Sequence, residues 1–356
     1  MKFLRQRLDN LRNLSQKNKL LAFLKPVINA ADEIYFGTDK VTTLPHILDS
    51  MDIKRYMSLV IVALIPAALG AVYLWGLRVL AVIAVSYIFG GMVEVIFAAS
   101  RKKEIHEGFL VTGLLFPLIL PPTIPLWMAA AGVIFGTMFG KEIFGGTGRN
   151  IFNPAIVGRI FLSVAFPSAM TTSWPIPFNQ GTGGFLKFSA DAVSQATPLT
   201  AFRNERLIAD FGNLLLGGSP GCIGETFRLG IIIGGIFLIF AKISNWRLPL
   251  SALLSVVICA GIGNFFAPDK FAPALFQIFS GGLLLGAFFM LTDPVTGPFT
   301  RAGKWICGVL FGFLVVLIRG LSGYVEGVMF SLLLINVFSP LIDRLVLGVK
   351  YPKIKK

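Results

Sequence analysis

Four groups of residues in this chain are of types and spacings that could do chemistry. The first is Asp191-Ala192-Val193-Ser194-Gln195-Ala196-Thr197, a D-x-x-S-x-A-T run in the longest polar stretch between apolar segments. It ends in a threonine hydroxyl, a group to which a covalent substituent can be attached. The second is the pair Asn150 and Asn153, whose carboxamides each offer a donor and an acceptor. The third is Arg159, a cation inside an apolar run, where charge is expensive and must face the protein interior or a cavity. The fourth comprises Glu94, Asp293 and Asp343, carboxylates in or beside apolar runs, where an ionised group is costly unless it is paired or functional.

Each group also has a plainer reading. The D-x-x-S-x-A-T run could be an ordinary polar loop. Gly145–Asn150 could be a tight turn between helices: no strand precedes it and it lacks a Gly-Lys-Ser/Thr ending, so a phosphate-cradling P-loop is unsupported. Arg159 could pair with helix carbonyls or a distant carboxylate, and the acidic residues could be solvated or salt-bridged. Gly90 and Gly91, one turn before Glu94, are explained by close helix packing.

Other chemistries are excluded by residue count. Cys222, Cys259 and Cys307 are far apart and form no Cys-x-x-Cys pair, so neither a zinc site nor a complete iron–sulfur site follows. Only two histidines exist, His46 and His106, which argues against a bis-histidine haem buried within the membrane. Electrons passing through this chain would need an organic carrier.

The elements that position these residues are membrane helices. Of the 356 residues 55% are hydrophobic and 14% charged, against roughly 25% charged in an average soluble domain. Apolar runs such as Ser58–Trp75, Val79–Ala99, Ile124–Phe139, Phe227–Phe240, Leu248–Phe266 and Trp305–Ile318 approach the ~20 residues that span a bilayer as a helix. The pattern predicts an all-α integral membrane protein of about ten membrane segments, five before residue 170 and five after residue 227. Phe109–Leu120 and Leu275–Leu291 run straight into proline-rich breaks, which predicts half-spanning or broken helices.

Those two segments share a pattern. Leu110, Gly113, Phe116, Leu118, Pro121, Thr123 and Pro125 recur in the same spacing as Leu283, Gly286, Phe289, Leu291, Pro294, Thr296 and Pro298. Gly-Val-Ile-Phe-Gly at 132–136 is echoed by Gly-Val-Leu-Phe-Gly at 308–312. A duplication with an odd number of helices per half places the second half in the membrane upside down, an inverted repeat. The expected units are a basic amphipathic arm (1–56), a first five-helix repeat (57–168), an outward loop carrying the Thr197 run (169–226), a second repeat (227–343) and a basic tail (344–356).

No signal peptide is visible, so the first spanning helix is expected to act as the targeting signal. In the arm, Leu4, Leu8, Leu11 and Leu14 alternate with Arg5, Arg7, Arg12 and Lys17, which fits a helix lying on an anionic membrane surface or packing on a neighbouring protein. Most Lys and Arg fall on one side of the expected topology, which places both termini in the cytoplasm and Thr197 outside. The net charge of +14 then reflects topology and attraction to lipid, and gives no reason to invoke nucleic acid.

Within this frame one resemblance is specific. The residues that carry it are Pro45-His46-Ile47 with Asp52–Arg55, Leu120–Trp127, Lys141–Ala155, Gly158-Arg159, the Thr197 run and Thr292–Thr296, in order over most of the chain. The chain resembles the family containing the B subunit of the bacterial sodium-translocating NADH:quinone oxidoreductase and the D subunit of the related Rnf electron-transport complex. The resemblance implies FMN held by a phosphoester on Thr197, with Asp191, Ser194 and Ala196 as the surrounding motif, installed by a separate flavin transferase. Such a bond uses the phosphate and leaves the ring free for electrons. Ala192 and Gln195 stand where the family often has glycine.

The resemblance further implies a noncovalent second flavin, riboflavin in the sodium pump, beside Asn150 and Asn153. It implies a quinone-binding region at Gly90, Gly91 and Glu94, and a sodium path involving Glu94, Asp293 and Asp343. Arg159 is expected near an anionic flavin or a phosphate. The implied setting is a multi-subunit complex in the bacterial inner membrane, a fold like that of urea and ammonium channels, and no NADH oxidation by this chain alone. Gly146–Asn150 and the basic arm favour the sodium-pump member of the family, whereas the chain length favours the Rnf one. A passive solute channel is the rival of another class, because inverted repeats with broken helices also build channels.

Overall fold

The computed structural model describes residues 53–101, 108–172, 174–178, 183–189 and 194–351. The basic arm falls almost wholly outside these residues, as do Asp191, Ala192 and positions 352–356. The described chain is built from helices, with a single antiparallel bridge between Pro175 and Ser194.

The first group of helices is α1 (Ile53–Trp75), α2 (Arg78–Arg101), α3 (Gly108–Leu118), α4 (Leu126–Thr137) and α5 (Pro154–Ala165). Short helices α6 (Pro167–Thr171), α7 (Pro198–Glu205) and α8 (Phe211–Leu216) lead to a second group: α9 (Arg228–Phe240), α10 (Arg247–Phe266), α11 (Ala274–Phe279), α12 (Leu283–Leu285), α13 (Arg301–Leu321) and α14 (Val328–Lys350). Five of them, α1, α2, α10, α13 and α14, are long and apolar enough to cross a membrane, and α3, α5 and α9 are shorter apolar helices. The helices carry apolar side chains outward as well as inward, Ile88, Leu254 and Phe313 among them, as expected where the surrounding solvent is lipid.

α1 packs on α9, α4 lies between α2 and α5, and α10 and α13 form an extensive pair. Small residues permit the closest approaches, which is how membrane helices associate when apolar burial supplies no preference over lipid. A Cβ on Gly136 of α4 would stand 2.9 Å from Gly158 Cα of α5, and one on Gly312 of α13 would stand 2.5 Å from the Ala252 carbonyl oxygen of α10. The two echoing Gly-x-x-x-Gly runs thus do the same work in different helix pairs. Both α4 and α12 continue into a wider π-helical turn, Met138–Glu142 and Gly286–Met290 respectively.

The proline-rich breaks follow Leu118 and Met290 as expected, but Leu275–Leu291, expected as one segment, is itself interrupted at Ser280–Gly282, where glycines follow Ser280. α3 stops at Leu118 and the chain turns through 119–125 before α4, while α11 and α12 are separated at Ser280–Gly282. Carbonyls freed at a break inside a membrane must find donors. Arg78 donates to the Thr123 and Ile124 carbonyls at 3.2 and 2.9 Å, and Arg319 donates to those of Gln277 and Ser280 at 2.7 and 2.9 Å. The segment after α8 also fills the first break: Ile223 N–H bonds the Leu120 carbonyl at 2.9 Å and Gly224 N–H that of Leu118 at 2.7 Å.

Candidate functional site

Thr197 is the N-cap of α7. Its backbone is extended (φ −63°, ψ 156°), Pro198 occupies the first helical position, and its Oγ1 accepts from Thr200 N at 3.4 Å and lies 2.9 Å from Thr200 Oγ1. Threonine followed by proline is a strong helix-start signal, since the hydroxyl caps a free amide and proline lacks an N–H that would go unused. The run before it is held by Trp174 and Pro175: Gln195 N–H donates to the Trp174 carbonyl at 2.8 Å, beside the Pro175–Ser194 bridge. Ser194 and Ala196 are exposed and Thr197 half-buried.

Thr197 opens onto a cavity of about 590 Å³. Its walls include Trp174, Tyr324 and Phe330, and Arg159 reaches it from the middle of α5. Arg159 is 6% exposed; one terminal nitrogen lies 3.3 Å from Cys222 Sγ, and its Nε has no partner among the described groups. The structure therefore brings together two residues that the sequence singled out separately.

It also adds two carboxylates that the sequence reading missed. Glu225 and Glu326 line the same cavity. Glu225 accepts from Cys222 N–H at 2.9 Å, and Glu326 pairs with Arg319 at 3.0 Å and accepts from Gly282 N–H at 3.1 Å. A Cβ on Gly282 would stand 3.1 Å from Glu225 Oε2, so both carboxylates close on the break between α11 and α12. Arg159 interacts electrostatically with both. Their only trace in the sequence is a glutamate in each of two glycine-containing connections, Gly221–Thr226 and Gly323–Gly327, beside apolar runs.

Asn150 and Asn153 lie in a different place. They line a cleft with Lys141, Thr292 and Asp293 that encloses about 60 Å³. Asn153 caps α5 by accepting from Ala155 N–H at 3.0 Å; Asn150 accepts from Gly148 N–H at 3.3 Å and donates to the Phe152 carbonyl at 3.0 Å. Both amides thus shape the glycine-rich turn. α5 joins the two sites, with Asn153 at its start and Arg159, Ser163 and Val164 on the cavity, and Pro154 to Val164 spans ~15 Å at 1.5 Å per residue.

Comparison with known proteins decides the family. The NQR2, RnfD, RnfE family matches over residues 40–351. The chain belongs to this family. It is 35% identical to the B subunit of the Na(+)-translocating NADH-quinone reductase of Klebsiella pneumoniae subsp. pneumoniae over 387 aligned residues, covering 90% of this chain and 91% of that protein. The corresponding protein of Neisseria meningitidis serogroup A is 34% identical, covering 89% and 90%. That of Azotobacter vinelandii is 41% identical, covering 75% and 66%. Relatives of this chain are thus subunits of an oxidoreductase complex, and the multi-pass helical architecture agrees with a membrane component of the NQR2, RnfD, RnfE family.

The remaining residues that the sequence singled out are all engaged by neighbours in this family member. Glu94 is 5% exposed and bonds the buried Lys141 ammonium, while Glu142 beside it pairs with Arg101 at 2.9 Å. Gly90 of the same helix faces Val133 of α4, and Gly91 faces Phe109 of α3. Asp293 accepts from Val295 N–H at 3.1 Å and Thr296 Oγ1 at 3.0 Å. Asp343 of α14 accepts from Phe299 N–H at 2.5 Å and from Thr300 N–H at 3.0 Å, just before α13.

Proposed function

We propose that the chain is the membrane flavoprotein subunit of a sodium-translocating NADH:quinone oxidoreductase, with FMN joined to Thr197 through a phosphoester. The observation that carries this reading is the position of Thr197, capping a helix at the rim of a 590 Å³ cavity with aromatic walls and a buried arginine. The residues present suit the group. A phosphate on Thr197 Oγ1 would sit at the positive N-terminal end of α7, a favourable position for an anion by about 0.3–1 kcal/mol. The isoalloxazine ring supplies reversible electron uptake when bound. Trp174, Tyr324 and Phe330 offer it apolar faces, and Arg159, with its Nε unpartnered, offers compensating positive charge in a low-dielectric setting.

A second flavin, riboflavin, is assigned to Asn150 and Asn153. The cleft there encloses 60 Å³, so a ring would lie partly outside it and against the carboxamides. Gly90, Gly91 and Glu94 are assigned to a quinone region, and Glu94, Asp293 and Asp343 to a path for sodium. The names of the relatives favour this complex over an Rnf-type ferredoxin:NAD oxidoreductase. Two inverted five-helix repeats in the bacterial inner membrane, both termini cytoplasmic, complete the reading; the matching Pro-x-Thr-x-Pro breaks after Leu118 and after Met290 and the shared Gly-x-x-x-Gly contacts support it. Other subunits would supply NADH oxidation, and a flavin transferase would supply the FMN.

The experiment compares the whole complex assembled with this chain and with Thr197→Ala. The variant should retain NADH oxidation by an artificial acceptor and lose sodium-stimulated quinone reduction. Undiminished quinone reduction would overturn the assignment.

A further inference from the structure

A second recess, outside every site assigned above, lies on the same side of the fold as Thr197. It encloses about 120 Å³ and shares Leu199 and Val325 with the wall of the larger cavity. Arg203, Arg206, Lys270 and Arg319 line it, against the single carboxylate of Asp269. This concentration is unexpected, because the side of the chain bearing Thr197 carries the minority of the Lys and Arg, as the positive-inside bias requires.

The recess is built rather than incidental. Arg203 is anchored to the Ser322 and Gly323 carbonyls beyond α13, and Arg319 to the Gln277 and Ser280 carbonyls and to Glu326. Beneath lies a small apolar cluster of Leu199, Phe202, Leu214, Ala272 and Phe276. Arg206 adopts a left-handed backbone (φ 60°), rare for a non-glycine residue, and lays its guanidinium over the Phe202 ring at 5.6 Å. One side chain of the wall, Arg319 at 7% exposure, leaves a buried donor, its Nε, without a partner. A polar group taken out of water in this way is costly unless something bonds it.

The rim faces apolar surroundings. Phe265 and Phe266, at the end of the spanning helix α10 and just before Asp269 and Lys270, are 82% and 79% exposed. Leu275, Leu207 and Ile208 nearby are each more than half exposed. Phenylalanines exposed at the end of a spanning helix lie against lipid, which brings acyl chains next to the recess. A recess of this size admits several waters, and so a tetrahedral phosphate.

We propose that this recess binds the phosphodiester headgroup of an anionic membrane phospholipid, with its acyl chains lying along Phe265, Phe266 and Leu275. Arg206 and Lys270 meet the phosphate oxygens, and Arg203 and Arg319 hold the walls in place. The site would clamp the Thr197 helix to the end of α10, since Arg203 and Arg206 lie on or next to α7.

The test uses the complete membrane complex, as wild type and as the double variant Arg206→Gln/Lys270→Gln. Each is stripped of loosely held lipid and then titrated with phosphatidylglycerol, and separately with inorganic phosphate, under native mass spectrometry. The expected result is one tightly retained phosphatidylglycerol in the wild type whose retention weakens roughly 30-fold in the variant, at ~1 kcal/mol per lost cation. Equal lipid retention in both overturns the proposal; if inorganic phosphate alone distinguishes them, the site serves a free anion and the lipid assignment fails. Should the variant not assemble, a photoactivatable phosphatidylglycerol on the wild type decides: label on peptides containing 203–211 or 265–275 supports the site, and label confined to other segments overturns it.

Discussion

Arg159 and Thr197 line one cavity, the arginine from the middle of α5 and the threonine from the start of α7. Between them they offer the two features a tethered, electron-accepting anion requires, an attachment point at a helix N-terminus and a buried positive charge. Glu225 and Glu326 moderate that charge, and Arg319 holds Glu326 in place at 3.0 Å.

Replacing Arg159 with methionine should make the bound flavin harder to reduce. Removing one charged interaction of roughly 1.5–3 kcal/mol corresponds to ~65–130 mV for a one-electron couple, a shift toward more negative potential in a redox titration of the purified complex. Arg159→Lys should recover part of it. An unchanged potential in Arg159→Met would place the arginine away from the ring.

Glu94 and Lys141 form a buried pair, so breaking one partner should be worse than removing both. Glu94→Gln leaves an unpaired buried ammonium, a loss of about 3–5 kcal/mol, read as a fall in the thermal unfolding temperature of the solubilised complex. Glu94→Gln/Lys141→Met should regain most of the stability. If Glu94 also serves the sodium path, the stable double variant will still need more sodium for half-maximal turnover; normal sodium dependence would confine Glu94 to the ion pair.

Asp343 ties α14 to the start of α13 through Phe299 and Thr300. Asp343→Asn, by replacing a charged acceptor of two N–H groups, should lower stability by roughly 1–3 kcal/mol. The same double readout, unfolding temperature against sodium dependence, separates this structural role from ion contact.

Gly312→Ala should impair packing of α13 on α10, since the new Cβ would stand 2.5 Å from the Ala252 carbonyl oxygen and 2.7 Å from Ser255 Cβ. Overpacking of this kind costs about 1–3 kcal/mol. A lowered yield of assembled complex, with unfolding at lower temperature, is expected.

Features written locally were legible in the sequence. Of the apolar runs, Ser58–Trp75, Val79–Ala99, Leu248–Phe266 and Trp305–Ile318 became the long helices α1, α2, α10 and α13, because a helix in lipid is announced by length and composition alone, while Ile124–Phe139 and Phe227–Phe240 became the shorter α4 and α9. The proline-rich breaks after Leu118 and Met290 were equally readable, whereas the break at Ser280–Gly282 and the helix start at Thr197-Pro198 were not read from the sequence. What escaped depends on distant partners. Lys141 and Glu94 meet across two helices, Arg319 reaches back to the Gln277 and Ser280 carbonyls, and Glu225 meets Gly282 only because the connection after α8 threads between the two helix breaks. No spacing rule predicts such contacts, and the acidic neighbours of Arg159 are therefore invisible in the sequence around it.

The covalent flavin on Thr197 is the claim on which the rest depends, and in-gel fluorescence of the denatured protein, expressed with an active flavin transferase, tests it most directly. Wild type should give a fluorescent band at the mass of this chain, and Thr197→Ala should give none. A dark wild-type band, alongside a control protein that the transferase does label, would contradict the account and bring a passive solute channel forward in its place.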